Sequence, residues 1–444
     1  MVKLFKVHKY SGLTAGVLLL ILSFTGFFLD HKNWSFMYDI SFENLPNSVY
    51  KHEKRLIEAY WIDPEDAQHI VVGSRRGVFE KTDEGFVKTL DRQCLSLRSE
   101  GKMLYAATND GIYVLRDKDW RPLALQGEFI NALSVYEDKL LVSVDKKELV
   151  LLDTMTGAVI SKTEVLISED ELKNDISLSR FVRDLHYGRG LFDGVTSLLI
   201  NDYAALILLF LSISGYIIWY LIAKKRKAHV SRKLIRLHAN IFVIAAIIPF
   251  VILLITGIFL DHPKLLGSFM RSVKIGHALL PPVYGTLKED IWSVDFDEMT
   301  YRIGNRYGIY ESADLISWTM VSKGFGYKMK RLEETLYVSG MGAPNRVLKE
   351  GKWKMLPKTP HMFKDINLVN EKREFLSHKS KVELPKMKSA SLYSLLLALH
   401  DGTFFTSWWV WVNDIAAVLL LVLGVTGTIR YLKKKGLIRR RETL

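Results

Sequence analysis

Charge is missing where it is most expected. Four stretches, Gly12–Leu29, Tyr203–Ile222, Ile241–Leu260 and Ile415–Leu432, hold no Lys, Arg, Asp or Glu apart from Arg430. Each has about the 18–20 residues that a helix needs to cross a bilayer, and Arg430 is close enough to an end to snorkel to the interface. Cysteine is also nearly absent: Cys94 is the sole one, so no intrachain disulfide can form. There is no Walker motif, no dinucleotide-binding glycine pattern and no nucleophile elbow, which excludes an encoded nucleotide or flavin site. No Lys, Arg, Asp or Glu stands in mid-span to serve as a transport pathway.

The charge that is present is positive, with a formal net of +13. Seven basic residues and no acid lie between Lys224 and Arg236, seven more between Arg430 and Arg441, and Lys3, Lys6 and Lys9 precede the first span. In a four-span topology all three clusters fall on one side. The positive-inside rule then puts both termini in the cytoplasm of a bacterial inner membrane and the two long connecting segments in the periplasm. The surplus charge reads as topology and contact with membrane lipid, not as a nucleic-acid footprint.

The chain repeats itself. Phe24-Thr25-Gly26-Phe27-Phe28-Leu29-Asp30-His31 returns as Ile255-Thr256-Gly257-Ile258-Phe259-Leu260-Asp261-His262, and each copy is followed by Ser-Phe-Met. A second pair of matches is Leu185-His186 with Leu399-His400. Each precedes Asn-Asp-x-Ala-Ala (Asn201-Asp202 and Asn413-Asp414) and a span containing Ser214-Gly215 or Thr426-Gly427. The pattern is a tandem duplication of a two-span unit, with a pseudo-twofold axis along the membrane normal.

The segments between spans have a different texture. Short β-rich runs and tight turns recur every 34–36 residues in 48–165 and resume in 285–357, near the period of propeller blades. Three blades cannot close a ring, so the two segments are expected to combine into one propeller of about six blades. The expected fold is therefore a membrane α-helical four-helix bundle plus a periplasmic all-β, propeller-like domain. Its divisions are 1–37 (first span), 38–165 (β-rich), 166–223 (interfacial helix and second span), 224–237 (basic loop), 238–267 (third span), 268–385 (β-rich), 386–432 (interfacial helix and fourth span) and 433–444 (basic tail).

Six of the twelve histidines occupy matched places: His8 with His238, His31 with His262, His186 with His400. His52, His69, His229, His277, His361 and His378 have no such counterpart. A histidine at a membrane boundary is often only an amphipathic side chain at the water line. Three matched pairs favour ligands instead, since neutral imidazole is the commonest metal ligand and paired histidines on facing helices can take both axial positions of a b-type haem. Zinc fits less well, because it wants four ligands and the spans offer no Cys or carboxylate. Asp30, Asp261, Asp202 and Asp414 stand at the span ends, either as partners orienting a ligand ring or as plain helix ends facing water.

His8-Lys9-Tyr10-Ser11-Gly12 with Thr25-Gly26, and Leu185-His186 and Leu399-His400 each followed by a glycine, resemble the PepSY-associated transmembrane family. The resemblance covers about a third of the chain. It implies a di-haem membrane oxidoreductase, ferric reductase-like, that passes electrons from a quinone or protein donor to ferric iron or a ferric siderophore in the periplasm. Two departures stand out: the β segments read as propeller blades, and His238-Ala239 lacks the glycine expected near the histidine. His8 and His238 are expected to bind one haem near the cytoplasmic face. His31, His262, His186 and His400 supply the other side, either as one haem or as two symmetry-related haems that each join a His31-type to a His400-type residue. The reading from a different class is a non-catalytic receptor or assembly factor in iron uptake, whose propeller binds a partner.

Overall fold

The computed structural model describes residues 2–369, 372–377, 380 and 382–437. His378 and the end of the basic tail, with Arg439, Arg440 and Arg441, lie outside the described residues.

Eight helices carry the site: α1 (Val2–Asp30), α2 (Leu178–His186), α3 (Thr196–Ala223), α4 (Ala228–His238), α5 (Ile241–Ala245), α6 (Ile247–Asp261), α7 (Leu392–His400) and α8 (Val410–Lys434). Among the described residues, three of them (α1, α3 and α8) are long and apolar enough to cross a membrane. This is a membrane protein.

The third expected span is not one straight helix. The helices from Ala228 to Ala245 and from Ile247 to Asp261 meet at a 69° bend, and only taken together do they make a fourth span. The cause is local. Within the first arm the Asn240 side chain accepts from Val243 N and starts α5 just after His238, ahead of the bend itself. Pro249 then stands in the first turn of α6, where its missing N–H costs nothing, whereas a continuous helix would lose a bond there. The helices pack in a circuit: α1 on α3 and α8, and α6 against both α3 and α8. Small residues at the contacts, Ala15 with Ala416 and Ala204 with Ala246, let the backbones approach.

The β segments form five four-stranded antiparallel sheets (57–90, 94–124, 130–164, 293–323 and 328–355) and a two-stranded one (365–376). Their first strands touch in sequence: Ile57–Ile62 meets Cys94–Glu100, then Ile130–Tyr136, Ser293–Phe296, Lys328–Leu332 and Asp365–Val369, which returns to Ile57–Ile62. The two chain segments thus build one propeller-like ring. The inner strands are buried on both faces (Ile57, Ala59, Leu97, Ile130, Leu133, Val294), as strands packed between neighbouring sheets must be.

Two short bridges dock the ring on the helices. Ser41–Phe42, after α1, pairs with Ala390–Ser391, just before α7; Lys274–Ile275, after α6, pairs with Ile176–Ser177, just before α2. Serine then caps each short helix: Ser177 accepts from Arg180 N and Ser391 from Ser394 N. The interfacial helix expected at the start of 166–223 therefore begins only at Leu178, directly after Ile176–Ser177 are spent on the bridge.

Candidate functional site: two histidine pairs

The bridges cross between the two copies of the repeat. They bring α7 to α1 and α2 to α6, and this decides which histidines meet. His186 and His400 face each other with ring centroids 6.4 Å apart and planes at 59°. At the other end of the helices His8 and His238 stand 6.4 Å apart with planes at 87°. The two levels are set by α1, which carries His8 near its start and Thr25, the contact of His400, near its end. Seventeen residues at 1.5 Å each separate the levels by about 25 Å.

Each of these four rings is held the same way. Nδ1 of His8 lies 2.8 Å from Thr426 Oγ1, that of His238 2.8 Å from Ser214 Oγ, that of His186 3.1 Å from Thr256 Oγ1, and that of His400 2.9 Å from Thr25 Oγ1. The hydroxyls have their own proton placed elsewhere. Thr25, Thr256 and Thr426 each donate to the carbonyl four residues back, at 2.7 Å, and Ser214 donates to that of Leu211 at 3.3 Å. A hydroxyl that donates to a carbonyl can only accept from the ring, so Nδ1 carries the proton and Nε2 keeps its lone pair. This is the tautomer that binds a metal through Nε2.

Beside every hydroxyl stands a glycine. A side chain on Gly26 would bring its Cβ within 3.3 Å of His400 Cε1; at Gly427, Gly257 and Gly215 the corresponding contacts to His8, His186 and His238 are 3.5, 3.6 and 3.7 Å. The glycines let the imidazoles lie close on the neighbouring helix, most tightly at Gly26. Burial and the adjacent His400 push the His186 pKa down to about 3, and burial lowers that of His400, so both rings are neutral near pH 7.

Asn201 and Asn413 fix the backbone of the two outer ligand candidates. Asn201 Nδ2 donates to the His186 carbonyl at 3.0 Å and to Asp30 Oδ2 at 3.1 Å, and Asn413 Nδ2 donates to the His400 carbonyl at 3.1 Å.

His31 and His262 are not brought to either pair. His31 stacks on Trp34 at 4.1 Å and its Nε2 faces Asp202 at 3.4 Å; His262 Nε2 meets Asp414 at 2.7 Å beside Trp411. Both are tied to the Asn-Asp motifs of another helix, with the ring nitrogen that a metal would need already facing a carboxylate. The arrangement in which each haem joins a His31-type to a His400-type residue does not match this geometry. Asp30 reaches His186 through Asn201. Asp261 ends α6 directly before His262, and among the described residues no hydrogen bond links it to a histidine ring.

The geometry passes a simple test for a bis-imidazole centre. Two rings bound on opposite sides of one metal ion at about 2.0 Å each would have centroids about 6 Å apart. No group of three or more His, Cys, Asp or Glu side chains poised for a metal exists among the described residues. The hydroxyl partners stood in the sequence as four repeated Thr-Gly or Ser-Gly dipeptides in apolar helices, but nothing there tied them to the histidines.

No curated protein matches the chain. Similar solved structures include the computationally designed Ika8 protein, 8% identical with a TM-score of 0.34 over 73% of this chain and 69% of that one. Others are the WD40 domain of Neurospora crassa Pan2 (11%, TM-score 0.27, 64% and 59%) and BamB from Moraxella catarrhalis (11%, TM-score 0.23, 69% and 84%). A family model described as the PepSY-associated TM region matches residues 98–434, well over half of the sequence. The chain belongs to the family of the PepSY-associated TM region.

Proposed function

We propose that this protein is an inner-membrane oxidoreductase that carries two b-type haems and passes electrons toward the propeller side. The observation that carries the reading is the fourfold use of one device: a helix hydroxyl occupies Nδ1, so that Nε2 of His8 and His238, and of His186 and His400, is bare and paired. His8 and His238 would hold one haem and His186 and His400 the other, within a bundle of four spans in which α4, α5 and α6 make one broken span. Haem supplies one-electron chemistry between ferrous and ferric iron. The chain's part would be to hold the imidazoles of His8, His238, His186 and His400 neutral, to keep water from them with apolar helices, and to set the two levels apart along α1.

Orientation follows from charge. The bases of 224–236 and 433–435 lie at the helix ends away from the propeller, with His8 and His238, and by the positive-inside rule this supports a cytoplasmic side for that end and a periplasmic one for the propeller. The donor is then the quinone pool or a separate protein, and the acceptor is ferric iron or a ferric chelate such as a siderophore.

The test is the visible spectrum of the detergent-purified protein, oxidised and then dithionite-reduced, with haem counted per chain. A sharp reduced α-band and two haems per chain support the reading. A colourless protein from haem-replete cells overturns it and leaves a propeller that serves only to bind a partner.

A further inference from the structure

Between the propeller and the His186–His400 pair stands a group of cations without carboxylate partners. Lys32 follows α1, Arg189 lies in the loop between α2 and α3, and Lys146 tips the turn between the strands Lys139–Val144 and Glu148–Asp153. All three are half-buried. Their neighbours are rings: Lys32 Nζ is 4.3 Å from the centre of the Tyr187 ring, Arg189 is 5.3 Å from Tyr187 and 5.2 Å from Trp292, and Lys146 Nζ is 3.6 Å from Trp292. The order Lys32–Tyr187–Arg189–Trp292–Lys146 is a ladder of alternating cations and aromatic faces. Among the described residues none of the three cations makes an ion pair with a carboxylate, and Arg189 Nε is buried with no hydrogen-bond partner.

Arg75, on a propeller turn beside them, has Glu58 at 3.8 Å. That carboxylate is shared with Lys364 at 3.2 Å and Lys328 at 3.9 Å, so it does not balance the group. The cations feel one another. Burial and then Arg189 lower the Lys146 pKa well below the ordinary lysine value, and burial with Arg180 brings that of Arg189 down to about 10.

Cation–aromatic contacts recover only about 0.5–2 kcal/mol each. Carboxylates act on them only from beyond ion-pair distance, Asp30 and Glu58 on Lys32, Asp290 on Lys146 and Asp184 on Arg189, and offset only part of the cost of partly burying three charges together. The fold nevertheless keeps these cations together on the faces of Tyr187 and Trp292. An arginine fork and two ammonium groups are a recognition set for carboxylate or phosphate oxygens.

We propose that Lys32, Lys146 and Arg189, with Arg75 beside them, form a binding site for a small oxyanion of at least two negative charges, between the propeller and His186. The ligand bears carboxylate or phosphate groups. That this anion is the electron acceptor rests on the haem reading; that it binds does not.

The experiment uses the full-length protein in a neutral detergent, with citrate and inorganic phosphate as probes in calorimetric titrations. Saturable citrate binding is expected, weakened at least tenfold by Lys146→Gln and by Arg189→Gln and weakened by added salt. A merely structural cation would lower the unfolding temperature when removed. Here Lys146→Gln raises it in anion-free buffer, because it relieves repulsion. Native mass spectrometry separates the sources of the anion. A phospholipid retained by the parent and lost in both variants assigns the oxyanion to a headgroup, and citrate binding to lipid-free protein assigns it to a soluble ligand. Absence of saturable binding of either probe with no retained lipid, or variants that bind like the parent, overturns the proposal. Haem content read on the same samples is independent: a colourless protein that binds citrate sinks only the haem reading, and a coloured protein that binds no anion sinks only this one.

Discussion

Thr25 Oγ1 lies 2.9 Å from Nδ1 of His400, across 375 residues of sequence. The contact joins the first helix of one copy of the repeat to the last short helix of the other, and its symmetry mate joins Thr256 to His186. Thr25→Val keeps the shape and removes the acceptor, leaving a buried ring N–H without a partner, at a cost of about 1–3 kcal/mol. The expected result is a lower unfolding temperature and, on the proposed haem reading, a shifted reduced absorption band. Thr25→Ser restores both. Equal behaviour of the Val and Ser variants would show that the hydroxyl does not hold the ring.

The paired and unpaired histidines separate cleanly under substitution. On the proposed two-haem reading, His8→Ala and His238→Ala should each remove the same haem, and His186→Ala and His400→Ala the other, so each variant retains about half the pigment. His31→Ala and His262→Ala should keep both, since these rings face Asp202 and Asp414 instead. Haem per chain by pyridine haemochrome decides it, and loss of pigment in His31→Ala would reassign the outer site.

The duplication made the six histidines legible, and with them the meeting of His8 and His238, but not the partners of the other four. A repeat shows which residues correspond, whereas pairing depends on how the copies interlock. The interlock is carried by the two-residue bridges of Ser41–Phe42 and Lys274–Ile275, which have no sequence signature. His31 and His262 looked equal to the others because Asp-His ends both repeats; only the fold brings the Asn-Asp motifs against them. In the propeller, the buried middle strands gave the 34–36-residue period, while outer strands such as Gly85–Leu90 and Asp119–Ala124 are largely solvent-facing and lack a hydrophobic pattern. The break in the third span was signalled by Asn240 and Pro249, but a continuous apolar run masks such local stops.

Acid should weaken the seat of His186. Burial pushes the Asp184 pKa up, and Arg180 and Arg306 more than cancel it, leaving about 2 against an ordinary 3.8. The folded value is the lower one, so the contribution is complete above about pH 4 and drains away as pH falls toward 2. At 1.36 kcal/mol per unit it amounts to about 2 kcal/mol. Asp184 also accepts from Tyr284 Oη at 2.7 Å and ties α2 to the propeller through Arg306. Unfolding temperatures of the parent should fall more steeply between about pH 4 and pH 2 than those of Asp184→Asn. Parallel profiles would remove Asp184 from the account.

Close approach of α1 and α3 depends on Gly16. A Cβ there would meet the Tyr216 ring at 2.7 Å, and Tyr216 Oη donates to the Leu13 carbonyl at 2.9 Å. Gly16→Ala should therefore displace the ring and cost about 1–3 kcal/mol by overpacking, although alanine is the better helix former. The double variant Gly16→Ala/Tyr216→Phe would recover little, since the clash involves the ring itself, whereas Gly16→Ala/Tyr216→Leu should recover most of the loss in thermal unfolding. Full stability of Gly16→Ala alone would mean that the helices have slack.

Closure of the ring rests on a polar clasp between its last and first sheets. Asp365 Oδ2 accepts from Tyr60 N at 3.1 Å, Asn367 Nδ2 donates to the Tyr60 carbonyl at 2.6 Å, and Lys330 Nζ sits 2.8 Å from Asp365 and 2.9 Å from Asn367. Asp365 is 2% exposed and Lys330 8%, so removing the carboxylate strands a buried cation, with Arg98 3.7 Å from the same group. Asp365→Ala should cost about 3–5 kcal/mol and open the ring at the two-stranded sheet first, where the fewest ladder bonds oppose separation. Hydrogen exchange read by mass spectrometry should show peptides covering 57–62 and 365–376 losing protection together while 130–164 stays protected. Loss spread evenly over the ring would mean that no single seam closes it.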